Sequence, residues 1–205
     1  MRLIVMGTPD FAVAPLRALA AAGFVVVVPD YRLVPRVEYP RFLEDCALAL
    51  EWTIANIGTY GGDQQRIAVL GHSAGAYNAI MTILRSRVSG DNIRAMAGLS
   101  GPYDFYPFDG PISLRVFGAV GEPKATQPIN LVREGLPPAF LAHGDLDDLV
   151  MPRNTVALAE RLRIAGNVVV DCLITVVGHH AEAHGLAAGG AVLLVVALEP
   201  DLLEP

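Results

Sequence analysis

Charge is scarce in this chain. Aspartate, glutamate, lysine and arginine make up 18% of its 205 residues, below the ~25% of an average soluble domain. Apolar residues make up 53%, above the usual ~45–50%. That balance excludes a disordered chain, which has too little apolar surface to bury. Positive charge is scarcer still, with 15 basic against 21 acidic residues, a net charge of −6 and no basic stripe. Nucleic acid and anionic membrane surfaces are therefore not expected partners. Long hydrophobic runs are lacking too. The uncharged stretch from Gly185 to Leu198 is interrupted by glycines and falls short of the ~20 residues a membrane span needs. The opening MRLIVMGTPDF is broken by Pro9 and Asp10 and makes a poor signal peptide. There are only two cysteines, Cys46 and Cys172, far apart and without metal-ligand spacing. Buried free thiols are expected of them, which fits a reducing, cytoplasmic setting. No repeat and no low-complexity linker divides the chain, so residues 1–205 are expected to form a single domain.

What is present alternates between two periods. Leu3–Met6 and Phe24–Val28 read as buried strands, separated by a helical Ala12–Ala22 that ends at Gly23. Arg41–Ile57 is the clearest helix, with Phe42, Cys46, Ala47, Leu50, Ile54 and Ile57 at spacings of three and four. Strands are predicted at Ile67–Leu70, Met96–Leu99, Ala139–Ala142 and Val168–Val177, and helices at Ala74–Leu84 and Pro152–Ala165. The apolar tail 191–198 fits either a helix or a strand. This alternation implies an α/β architecture, a mostly parallel sheet with helices on both faces. Residues 100–130 carry five prolines and read as an irregular excursion near the site. Its aromatics Tyr103, Phe105, Tyr106, Phe108 and Phe117 fit an acyl or aryl pocket, or simple core contacts.

The stretch IAVLGHSAGAYNAI (67–80) contains Gly71-His72-Ser73-Ala74-Gly75, a G-x-S-x-G sequence between a predicted strand and a predicted helix. A serine on such a tight turn is held in strained backbone geometry, and glycines two before and two after it remove side chains that would clash. The hydroxyl of Ser73 is then raised above the sheet as a nucleophile. The N–H of Ala74, at the helix N-terminus, points toward a developing oxyanion. His72 reads as structural, as does His143.

A serine needs a base, and the base an orienting carboxylate. After the strand PPAFLAHG come Asp145, Asp147 and Asp148, at the strand end where ligands bind in parallel sheets. A single aspartate there is as readily a helix cap or a solvated turn. After VVVDCLITVV comes GHHAEAHG, with His179, His180 and His184. His179 follows the strand end directly and is the first candidate for the base, with the other two as alternatives. HAEAH is not the zinc-binding H-E-x-x-H, and no metal or cofactor is expected.

Five segments carry a resemblance. They are VVVVPDYRLVP (25–35), TYGGDQQRIAVLGHSAG (59–75), GLSGPYDF (98–105), HGDLDDLV (143–150) and VVGHHAEAHG (176–185). Together they resemble the carboxylesterase/lipase family of α/β-hydrolases, in the group of hormone-sensitive-lipase-like esterases and arylformamidases. The resemblance implies an α/β-hydrolase fold, here shortened at the N-terminus and without a full cap. It implies hydrolysis of short-chain carboxylic esters through an acyl-enzyme without a cofactor, with an arylformamidase-type amide as a narrower variant. It puts Asp147 in the place of the catalytic acid and His179 in that of the base.

The departures matter. Relatives carry HGG or HGGG before the first helix, where backbone N–H groups complete the oxyanion hole. This chain has MGTPDF there, so Gly7 and Thr8 are the remaining candidates, and Pro9 has no N–H to give. Losing one such donor costs about 10²–10³ in rate. A catalytically impaired homologue acting as a binding module is therefore the alternative reading. The first twenty or so residues also resemble the opening of methionyl-tRNA formyltransferases, whose later formyl-transfer signature has no match in this chain.

Overall fold

The computed structural model describes residues 3–5, 10–86, 92–175 and 192–198. In chain order its elements are β1 (Leu3–Val5), α1 (Asp10–Ala21), β2 (Phe24–Val28), α2 (Arg41–Asn56), β3 (Ile67–His72) and α3 (Ala74–Arg85). They continue as β4 (Ile93–Leu99), α4 (Pro111–Phe117), β5 (Ala139–Gly144), α5 (Arg153–Ile164), β6 (Val169–Ile174) and β7 (Val192–Leu198). The predicted elements all form, most with ends shifted by a few residues. The predicted strand 168–177 forms over Val169–Ile174, and residues 176 and 177 lie outside the described residues.

The strands form one seven-stranded sheet in the order β1-β2-β7-β3-β4-β5-β6. β3, β4, β5 and β6 pair in parallel, as do β1 and β2. The tail, open between helix and strand on sequence grounds, is a strand. β7 runs antiparallel to both β2 and β3 and joins them, with Val26 opposite Val196 and Val69 opposite Val195. β1 lies at the sheet edge.

Helices cover the two faces unequally. In β2, Val25 and Val27 turn toward the main core with α2, α3 and α5, whereas Val26 and Val28 turn toward Leu16 and Leu19 of α1. Burial on both faces is why this strand reads as an unbroken apolar run. α2 buries Phe42, Leu43, Cys46, Leu50 and Thr53. Ala47 and Ile54, expected on that face, are only half-buried, and Leu43 takes a core position. The Cys46 thiol is fully enclosed, and burial pushes its pKa up, so it behaves as an inert apolar group. Cys172 is also free and is half-buried. None of the described helices is long and apolar enough to cross a membrane.

The excursion 100–130 is less irregular than expected, since α4 and two 3-10 turns (Pro123–Thr126 and Pro128–Leu131) lie within it or overlap its end. Its aromatics are mainly core contacts. Tyr103 and Phe117 are buried, and Phe105 and Phe108 pack against the core, while Tyr106 is exposed. Phe117 is the hub of the cluster. Its ring centroid lies 5.2 Å from Phe105, 5.6 Å from Phe108 and 5.6 Å from Tyr77 of α3. Tyr39 is 5.5 Å away. Phe117→Ala is expected to lower the unfolding free energy by about 3–5 kcal/mol, read by urea denaturation, because the excursion then loses its anchor on α2 and α3.

Candidate active site

β3 runs straight into α3 through Ser73, whose backbone sits at φ 55° and ψ −125°. This is a left-handed conformation that non-glycine residues rarely adopt. The turn is held by its own hydrogen bonds. The Ser73 N–H donates to the Leu99 carbonyl at the end of β4 (2.8 Å), and the Ser73 carbonyl accepts from Ala76 (2.9 Å) and Tyr77 (3.1 Å). Ala74 and Gly75 are the first two residues of α3, where backbone N–H groups have no intrahelical acceptor. The positive end of the helix dipole therefore lies directly after the serine.

The first glycine of the elbow is a packing requirement. A Cβ on Gly71 would lie 2.2 Å from the Gly75 carbonyl oxygen and 2.6 Å from the Ala76 nitrogen. These are backbone atoms that yield only if the elbow itself shifts. Gly71→Ala is therefore expected to destabilise the fold by about 3 kcal/mol, the upper end for overpacking, read as a lowered urea midpoint. His72 closes β3 beside the serine and is half-buried.

The PDYRLVP segment packs beside the elbow's helix. The Tyr31 hydroxyl shares a hydrogen bond with the Asn78 side chain on α3. Arg32 grips Asp45 of α2 through its side chain (2.7 and 2.9 Å) and its backbone N–H (3.0 Å). These bonds hold the Asp45 carboxyl below the usual carboxylate range. The conspicuous Tyr-Arg pair thus orients α2 and α3.

The three aspartates after β5 separate by their bonds. Asp147 folds back on its own turn: Oδ1 accepts from the N–H groups of Leu149 (3.1 Å) and Val150 (2.9 Å). Its Oδ2 lies 3.4 Å from His143 Nε2, and the side chain is 23% exposed. One carboxylate oxygen is therefore fixed by the turn, while the other makes no hydrogen bond shorter than 3.4 Å among the described residues. Asp145 instead ties two strands together, its N–H donating to the Ile174 carbonyl (3.1 Å) and its Oδ2 accepting from the Thr175 hydroxyl (2.7 Å). Asp148 is exposed in the bend. Neither of these two caps a helix, because α5 begins at Arg153 with Pro152 at its cap.

Asn154, unmarked in the sequence, joins the excursion to this region. It is buried at the start of α5, and its Oδ1 accepts from both the Tyr103 and Asp104 N–H groups at 2.8 Å. Its Nδ2 donates to the Met151 carbonyl (3.0 Å). Tyr103 then fills space made by glycines, since a Cβ on Gly98 or Gly101 would lie 2.0 or 2.4 Å from its hydroxyl. An asparagine at a helix start was the one available signal, and it reads equally well as an ordinary cap.

The structure thus carries Ser73, Ala74, Gly71, His72 and Gly75 on the elbow and Asp147 at the end of β5, two strands away in the sheet. His179, with its alternatives His180 and His184, lies outside the described residues, as do Gly7 and Thr8. Among the described residues no group of histidine, cysteine and carboxylate side chains is arranged to hold a metal.

A family model described as BD-FAE matches residues 6–162, a span that takes in Ser73 and Asp147 and stops before His179. The esterase LipC of Mycobacterium tuberculosis (strain ATCC 25618 / H37Rv) is 28% identical over 173 residues, 73% of this chain and 43% of its own. The carboxylesterase NlhH of the same organism is 34% identical over 161 residues, 67% of this chain and 50% of its own. This chain therefore spans about half the length of the curated relatives it matches. Among solved structures, EstE1, a thermostable carboxylesterase cloned from a metagenomic library, superposes with a TM-score of 0.65 at 21% identity, covering 74% of this chain and 58% of that one. A truncated carbohydrate esterase from gut microbiota gives 0.64 at 20% identity, covering 71% and 64%. These likenesses show the fold. With esterases among both the curated relatives and the solved structures, the reading as a binding module is not favoured.

Proposed function

Since the chain belongs to the BD-FAE family, among the α/β-hydrolase carboxylesterases, we propose that it hydrolyses short-chain carboxylic esters through an acyl-enzyme on Ser73. The observation that carries this reading is the left-handed Ser73 at the head of α3. A backbone strained at a solitary serine, followed at once by the first N–H groups of a helix, is what a nucleophile with an adjoining oxyanion site requires.

The Ser73 hydroxyl attacks the ester carbonyl, and His179 takes its proton. The negative oxygen is stabilised by the Ala74 N–H, with Gly7 or Thr8 supplying a second donor. His179 returns the proton to the leaving alcohol. Water then attacks the acyl-serine by the same route and releases the acid. Asp147, through its remaining carboxylate oxygen Oδ2, accepts the second N–H of His179, fixing its tautomer and stabilising the imidazolium. An aryl formamide fits the same scheme with an amine as leaving group.

Hydrolysis of p-nitrophenyl acetate and butyrate by the purified protein tests the reading. Turnover that needs Ser73 upholds it. A rate equal to that of Ser73→Ala, in protein shown to be folded, removes it.

A further inference from the structure

We propose that His143 is a positioning residue for the acid of the site, its Nε2–H holding the Val150 carbonyl and through it the turn that presents Asp147. This inference rests on the reading of Asp147 as the catalytic carboxylate. His143 is almost fully buried on β5, and both of its ring nitrogens are engaged. Nε2 lies 2.6 Å from the Val150 carbonyl oxygen, and Nδ1 lies 2.8 Å from the Thr155 hydroxyl on α5.

These partners decide where the proton sits. A carbonyl oxygen only accepts, so Nε2 must carry the hydrogen at that distance. A hydroxyl both donates and accepts, so the Thr155 hydroxyl can meet Nδ1 in either role.

Val150 is then gripped from both sides. Its carbonyl accepts from His143, while its N–H donates to Asp147 Oδ1 at 2.9 Å. A chain of bonds runs from Thr155 through His143 and Val150 to Asp147, so the acid turn is referred to the rigid start of α5. The same geometry protects the working oxygen. His143 Nε2 is also 3.4 Å from Asp147 Oδ2. Were its hydrogen not occupied by Val150, it would compete with His179 for that oxygen. A tilt of the turn by about an ångström is enough to cost on the order of 10² in rate.

The test combines substitutions with a measurement on the unaltered protein. The side-chain amide of glutamine reaches about as far as Nε2, and that of asparagine about as far as Nδ1. With p-nitrophenyl butyrate, His143→Gln is expected to keep kcat within about threefold. His143→Asn keeps only the Thr155 side of the network and is expected to lower kcat about ten- to a hundredfold at nearly constant KM. In an Asp147→Asn background, His143→Asn is expected to lower kcat by less than about twofold, since its effect passes through Asp147. An equal loss in both backgrounds, a loss confined to KM, or an asparagine variant with wild-type kcat overturns the inference while leaving the triad intact. Wild-type kcat in Asp147→Asn alone overturns the triad reading and this inference with it. Nitrogen-15 NMR of the wild-type protein decides the point independently of how any variant folds. A slowly exchanging His143 proton on Nε2 is expected, and a proton on Nδ1 instead overturns the proposal.

Discussion

Ser73→Ala is expected to lower kcat for p-nitrophenyl butyrate by about 10⁴- to 10⁶-fold, since removing the nucleophile of a triad removes nearly everything the triad does as a unit. KM should change little, because the hydroxyl contributes to the transition state far more than to ground-state binding. Stability should also change little. Alanine keeps a Cβ at φ 55°, so it inherits the strain that serine carries there. Ser73→Gly separates the two effects. It is equally inactive, yet relief of the left-handed strain is expected to make it about 1 kcal/mol more stable than the alanine variant, measured by urea denaturation. A glycine variant no more stable than the alanine one would remove the claim that strain is stored at this turn. Ester turnover unchanged in both variants would remove the nucleophile assignment itself.

Asp147→Asn is expected to cost about 10⁴-fold in kcat with the fold retained. The asparagine carbonyl can still accept the Leu149 and Val150 N–H groups that now bind Oδ1, so the turn survives. The amide that replaces Oδ2 donates where an acceptor is needed, and the base is then held in the wrong tautomer. The neighbouring aspartates supply the contrast. Asp148→Asn, at an exposed bend, should leave kcat within about twofold. Asp145→Asn keeps an acceptor for the Thr175 hydroxyl and should cost far less than the change at Asp147. A profile in which Asp145 is the intolerant position would move the acid two positions toward the strand end and would leave the Asp147 turn as architecture.

Whatever depends on neighbours in the chain could be read before the fold was known. The elbow is one case, because the lack of room at Gly71 is imposed by Gly75 and Ala76, four and five residues on. β2 is another, where burial on both faces leaves a run of valines that no amphipathic helix would show. α2 declared itself by the spacing of Phe42, Cys46 and Leu50. The order of the candidate groups was legible too, with a serine, then aspartates, then histidines, each after a strand expected from the sequence.

Only the tertiary structure decided which groups meet. Nothing in VLLVVAL states that it runs antiparallel between β2 and β3, since strand pairing depends on backbone edges left open by segments remote in sequence. The aromatics of the excursion read equally as pocket or core until Tyr39, Phe42 and Tyr77 were seen around Phe117. Three aspartates within four positions look alike as residues and differ only in what they bond to. His143 looked like one more structural histidine, and its place between Thr155 and Val150 exists only once β5 and α5 are packed. Local sequence determines dihedral strain, periodicity and the order of chemical groups, because those are short-range properties. The partner of a buried polar atom is set by packing between elements, and that is settled only when the chain has folded.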